Sequence, residues 1–190
     1  MKYIKLFEEY EGMLQTSPDI AQMKPEELEQ MFASQLYKDN PDIELIKQII
    51  DQPNFDYFVN SQLIGWKITP LILATIKGQL EIVEYLLENK QVAVNMKDND
   101  GQTALTCACR NGFPEIVRYL LSRSDTKVNM QDKGGWTALH WACWKNQSEI
   151  VAMLLQHPDT DISITTKDGA TAWFNAKPEI RELFPQLKVV

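Results

Sequence analysis

Threonine returns along this chain at a fixed interval. Thr69-Pro70-Leu71, Thr103-Ala104-Leu105, Thr137-Ala138-Leu139 and Thr171-Ala172-Trp173 begin 34 residues apart each time. Ala74, Ala108, Ala142 and Ala176 keep that spacing. So do Glu81-Ile82-Val83, Glu115-Ile116-Val117 and Glu149-Ile150-Val151, and the doublets Leu86-Leu87, Leu120-Leu121 and Leu154-Leu155. A period this long marks stacked supersecondary units and excludes most globular topologies.

Each unit reads as helix, tight turn, helix, long loop. Thr103 and Thr137 suit helix N-caps, because a hydroxyl accepts from the unpaired N–H groups of a first turn. Pro70 falls where a first helical residue has no N–H partner to lose. Gly78 and Gly112 follow the first helix, where a left-handed residue ends it at low cost, and Asn146 stands there in the third unit. The second helices carry Ile82, Val83, Leu86 and Leu87, or their equivalents, at helical spacing. Ala74, Ala108 and Ala142 mark the closest approach of the first helix to its neighbours. One such hairpin cannot bury its own apolar faces, so the units must stack.

The pattern TPLxLAxxxG…EIVxxLL…VNxxDxxG is similar to the ankyrin repeat, and Thr137-Ala138-Leu139-His140-Trp141-Ala142 resembles its signature hexapeptide. The resemblance spans residues 65–176. It implies an all-α solenoid of helix-turn-helix units with finger-like loops, and a concave face made of finger tips and first helices. Three departures stand out. The period exceeds the family's usual one of about 33, and the loops Asn89–Asn95, Arg123–Asn129 and His157–Ser163 are the expected site of the extra residue. The signature histidine occurs only at His140, with Ile72, Thr106 and Phe174 at the matching places. The last unit is cut short, with Pro178 and Pro185 bracketing a short second helix.

The chain has 190 residues and is 44% hydrophobic, enough for one packed domain. The reading divides it into an amphipathic arm (1–22), a degenerate N-terminal capping repeat (23–64), and three full repeats with a truncated C-terminal cap (65–190), all packed together. In the arm, Tyr3, Leu6, Phe7, Tyr10, Met13 and Leu14 share one helical face, which either folds back on the first repeat or forms a partner-binding or self-associating arm. Phe58-Val59-Asn60 resembles Val94-Asn95 and Val128-Asn129, which supports a degenerate first unit. No apolar run approaches the ~18 residues of a membrane span. Lys2 and Lys5 flank only the short segment Tyr3–Phe7, so no signal peptide is expected. Three cysteines without a paired framework point to a reducing, cytoplasmic setting. Charge is uneven: residues 1–64 hold five basic and twelve acidic side chains, net −7, while residues 65–190 hold fourteen of each.

No phosphate-cradling loop, HExxH or nucleophile elbow is present, so no enzyme and no cofactor is expected. Cys107, Cys109, His140 and Cys143 have metal-ligating chemistry. The repeat assigns the cysteines to core positions instead, with Cys109 and Cys143 equivalent to Thr75, and Cys107 to Leu73 and Trp141. His140 lacks an orienting acid and a nucleophile, and the family uses this residue to brace neighbouring loops by hydrogen bonds. Asp98, Asp132 and Asp168, beside Gly101, Gly135 and Gly169, are read as turn residues that bond their own backbone.

Function then falls to the side chains that the repeat leaves free. By the resemblance these are Trp66, Ile68, Ile76 and Lys77 in the first full unit, and Lys97, Asn99, Asp100, Gln102, Arg110 and Asn111 in the second. The third supplies Gln131, Lys133, Trp136, Trp144 and Lys145, and the last Thr165, Lys167, Asp168 and Ala170. Large apolar residues grouped on one surface mark a binding site, and Trp and Arg dominate interface energies. Trp66 or Trp136 packing across to the next finger as outer core is the competing reading. Trp141 and Trp173, at leucine places, are expected in the core. The resulting expectation is a monomeric, non-enzymatic adaptor, inhibitor or effector that holds an acidic segment of another protein. The alternative is a nucleotide or short RNA stacked on the same tryptophans. General nucleic-acid binding and a membrane role are not expected from an acidic whole.

Overall fold

Capping chemistry dictates where the helices begin. In a computed structural model describing residues 19–38, 40–63 and 68–184, Thr69, Thr103 and Thr137 each accept the backbone N–H three residues on, at 3.2, 3.3 and 3.4 Å. These caps open helices α3 (Pro70–Ile76), α5 (Ala104–Asn111) and α7 (Ala138–Trp144). Gly78, Gly112 and Asn146 follow at φ 70°, 77° and 59°, turning each chain into α4 (Leu80–Asn89), α6 (Pro114–Ser122) and α8 (Ser148–Gln156). Ahead of them lie α1 (Pro25–Leu36), whose Lys24 N–H is taken by Glu27, and α2 (Ile43–Asp51), capped by Asp42. No helix among the described residues is long and apolar enough to cross a membrane.

Helices α1, α3, α5 and α7 stack as an inner layer and α2, α4, α6 and α8 as an outer layer. Inner helices touch a neighbour on each side and the outer layer behind, so every residue of α5 from Ala104 to Cys109 is buried. Ala74, Ala108 and Ala142 are fully buried, and their lack of side-chain bulk permits that approach. The outer helices bury Ile82, Val83, Leu86 and Leu87, with Ile116, Val117, Leu120, Ile150, Val151 and Leu154 repeating the stripe.

Asparagine holds the units in step. The Asn60 amide donates to the Gln91 carbonyl and accepts from Ala93 N–H, both at 2.7 Å. Asn95 does the same to Asp125 and Lys127, and Asn129 to Asp159 and Asp161. Because Asn60 joins this ladder, the N-terminal helix pair sits in step with the repeats that follow it.

The last unit departs from the frame. Thr171 still accepts from Phe174 N–H at 3.3 Å, yet only a turn forms, followed by the four-residue α9 (Pro178–Arg181). Arg181 donates to the carbonyls of Trp173 and Phe174, capping what would have been an inner helix. The expected arm at residues 2–14 lies outside the described residues.

Candidate functional site

Each finger is built by one polar side chain that collects its turn's N–H groups. Asp98 Oδ1 accepts from Asp100 and Gln102 N–H at 2.9 and 2.7 Å. Asp132 Oδ1 repeats this with Gly134 and Trp136 at 2.8 and 2.9 Å. In the last finger the role falls to Thr166, whose hydroxyl accepts Ala170 N–H at 3.2 Å. The reading of Asp168 as the residue that bonds this turn's backbone is therefore corrected: it lies in the turn, two residues beyond the collecting position. Neighbouring fingers join through Lys133 N–H to Asp100 O and Lys167 N–H to Gly134 O, at 2.9 and 3.0 Å.

His140 braces two units. Its Nδ1 faces the Thr137 N–H at 3.3 Å, and since an amide can only donate, Nδ1 is the unprotonated nitrogen. Nε2–H then donates to Ala170 O of the next finger at 3.2 Å. Burial holds its pKa below the ordinary imidazole value. A neutral imidazole with both nitrogens committed to backbone is a structural brace.

Burial also governs the cysteines. Cys107, Cys109 and Cys143 are buried free thiols, with Cys107 and Cys143 pushed up to about 12. Among the described residues no group of three or more His, Cys, Asp or Glu is placed to hold a metal ion.

The finger at Asp132–Trp136 and helix α7 carry several of the side chains that the repeat leaves free. Trp144 is 57% exposed and meets Trp136 edge-on, with ring centroids 5.9 Å apart. Trp136 is half-buried and tilts against Trp141 at 4.8 Å. Its ring neighbours are His140, Trp141 and Trp144, all in its own unit. Lys133, Lys145, Asn99, Asp100, Gln131, Thr165 and Lys167 are exposed. Lys97 reaches the next finger, donating to Gln131 O at 2.8 Å, and the Gln131 amide passes the contact on to Thr165 O at 2.9 Å. Asn111 is exposed but bonds back to Cys107 O. Trp66 lies outside the described residues.

Several expected positions are corrected. Gln102, expected on the open face, is 4% exposed: its Oε1 accepts from Arg110 at 3.1 Å and lies 3.6 Å from Cys107 Sγ. Trp141, expected in the core, is half-exposed, because its indole N–H reaches up to Asp132 Oδ2 at 2.9 Å. Trp173 is likewise half-buried, packed on the core beneath the Arg181 guanidinium. Ile68 and Ile76 are half-buried against the core, and Lys77 lies over the Tyr37 ring, 3.3 Å from its centroid. Burial holds the Lys77 pKa below its ordinary value.

Sequence reasoning missed two exposed aromatics, Phe174 (65%) and Tyr57 (77%). Phe174 was identifiable, since it fills the His140 place with a side chain that cannot brace a loop by hydrogen bonds. Nothing in the pattern singles out Tyr57.

The family model of ankyrin repeats (3 copies) matches residues 31–132 and 93–168, which together span more than half of the chain. No curated protein matches it. Threonine caps, left-handed turn residues, the asparagine ladder and these matches agree: the chain belongs to the ankyrin repeat family.

Proposed function

We propose that the concave face, made of the fingers from Lys97 to Lys167 and the inner helices α5 and α7, binds an extended acidic segment of another protein. Ankyrin repeats are in general protein–protein interaction modules without enzymatic activity. On this reading the chain is a cytoplasmic, monomeric adaptor, inhibitor or effector, and residues 23–64 close its N-terminal end as a capping repeat.

The observation that carries the reading is the exposed Trp144 indole, seated edge-on against Trp136. An exposed indole is a costly surface residue unless a partner covers it. Lys97, Arg110, Lys133, Lys145 and Lys167 outnumber Asp100 and Asp168 on this face, so an acidic segment is the matching partner.

The test is capture from lysate with the full chain, comparing wild type with Trp144→Ala. A partner retained by wild type and lost by the variant, with unchanged circular dichroism and melting, supports the reading. Equal capture by both overturns it. Oligonucleotide binding that quenches tryptophan fluorescence and weakens steeply with salt would instead favour RNA stacked on the same indoles.

A further inference from the structure

We infer that Arg110 selects the partner by taking the carboxylate of an aspartate or glutamate in that segment, while a neighbouring apolar side chain of the segment covers Trp144. This rests on the interaction-face reading above.

The four arginines of this chain are used in different ways. Arg118 pairs with Glu115 and Glu149, and Arg123 with Asp125. Arg181 caps two backbone carbonyls. Arg110 is exposed and makes no ion pair among the described residues. It is nevertheless held in place, with Nη1 donating to the neutral Gln102 amide at 3.1 Å and its guanidinium carbon 5.2 Å from the Trp141 ring centroid.

Both supports are themselves fixed. Gln102 is 4% exposed, and the Trp141 indole is tied to Asp132. An arginine steadied by an amide and an indole keeps most of its five N–H donors for an outside acceptor and loses little side-chain entropy on binding. Its planar fork matches a carboxylate through two parallel bonds. Phosphate fits the fork as well, but Asp98 interacts electrostatically with Arg110, and its charge repels a dianion more strongly than a single carboxylate.

Arg110 and Trp144 occupy the same place in consecutive units, so they stand as neighbours along the groove. An extended segment lying across the inner helices meets both. Gln102 is the positioning residue of this pair.

The experiment screens the full chain against an array of randomised nonapeptides, then measures the retained peptides by fluorescence anisotropy. The retained peptides are expected to share an Asp or Glu close to an apolar residue. Changing that acid to its amide should weaken binding about tenfold on wild type and about twofold or less on Arg110→Lys, which keeps the charge and loses the fork. Retained peptides without a common carboxylate, or an equal loss on both proteins, overturn the inference. If Trp144→Ala abolishes peptide binding while Arg110→Lys leaves it intact, the interaction face stands and the role of Arg110 falls. If no peptide is retained, or neither variant changes binding, both fall.

Discussion

The second and third units share one backbone and finish it with opposite chemistry. Asp98 and Asp132 collect the same two N–H groups, and Thr103 and Thr137 cap the same helix start. Past that frame the units diverge. Where the second has Gln102, Cys107 and Arg110, the third has Trp136, Trp141 and Trp144. The second ties finger to helix through an amide and a guanidinium, and the third through stacked indoles with one N–H on Asp132. The frame thus specifies backbone satisfaction and leaves the groove side chains to vary. The two halves meet where Arg110 lies over Trp141.

Breaking the shared frame should have the largest effect. Gly135 has φ 82°, and a Cβ added there would sit 2.7 Å from Lys167 N, which is backbone and cannot yield cheaply. Gly169 has φ 80° with nothing within 4 Å. Gly135→Ala should cost at least about 3 kcal/mol, and Gly169→Ala only the ~1–2 kcal/mol of a left-handed alanine. Urea unfolding measures both. Equal losses would mean that the finger-to-finger contact contributes nothing.

Removing the aromatic brace comes next. Trp141→Leu restores the residue type of Leu73 and deletes the indole bond to Asp132, together with the stack on Trp136. A loss of about 2 kcal/mol is expected in the same assay. A loss below about 0.5 kcal/mol would make Trp141 a binding residue alone.

Trp141 also shows how far the sequence could be read. Repeat spacing located the caps, the left-handed turn residues, the short last helix and the Asn60 equivalence, because each answers a backbone demand that recurs in every unit. Equivalence to Leu73 and Cys107 said nothing about Trp141, since a longer side chain at a core place can climb out toward a carboxylate. The same limit applied to Gln102: a polar residue between exposed neighbours reads as free, and its burial depends on Arg110, eight residues away. Asp168 misled because proximity to Gly169 resembles the other turns, while the collecting position had passed to Thr166.

Acid should separate the two units more gently. The second unit has Thr106 where the third has His140, and threonine does not titrate. Folding lowers the His140 pKa from 6.5, so the unfolded chain takes up the proton first as pH falls. Its contribution is complete above about 6.5 and is lost as pH drops through the folded value. Wild type should therefore lose stability between pH ~7 and ~5 more steeply than His140→Thr, by up to ~1.4 kcal/mol per pH unit for one proton. Parallel curves would show that His140 titrates alike in both states. The difference between the two proteins removes the carboxylates common to both.

The smallest effect expected is a near-absence of reaction, and it tests the braces themselves. Cys107 lies under the polar brace, with its Sγ toward Gln102 Oε1, and Cys143 lies in the aromatic unit. Burial pushes both thiols up to about 12, so at pH ~8 only about one in ten thousand of either is thiolate. Native chain mixed with iodoacetamide should leave both unmodified by mass spectrometry, while chain in urea is labelled at both. Any native labelling must follow opening of the structure, so its distribution reports which unit opens first. Equal silence means that an amide–guanidinium brace closes the groove as tightly as three indoles do. Faster labelling of Cys107 would show that the Gln102–Arg110 contact lets go on its own, and Arg110 would then reach its carboxylate from a moving support.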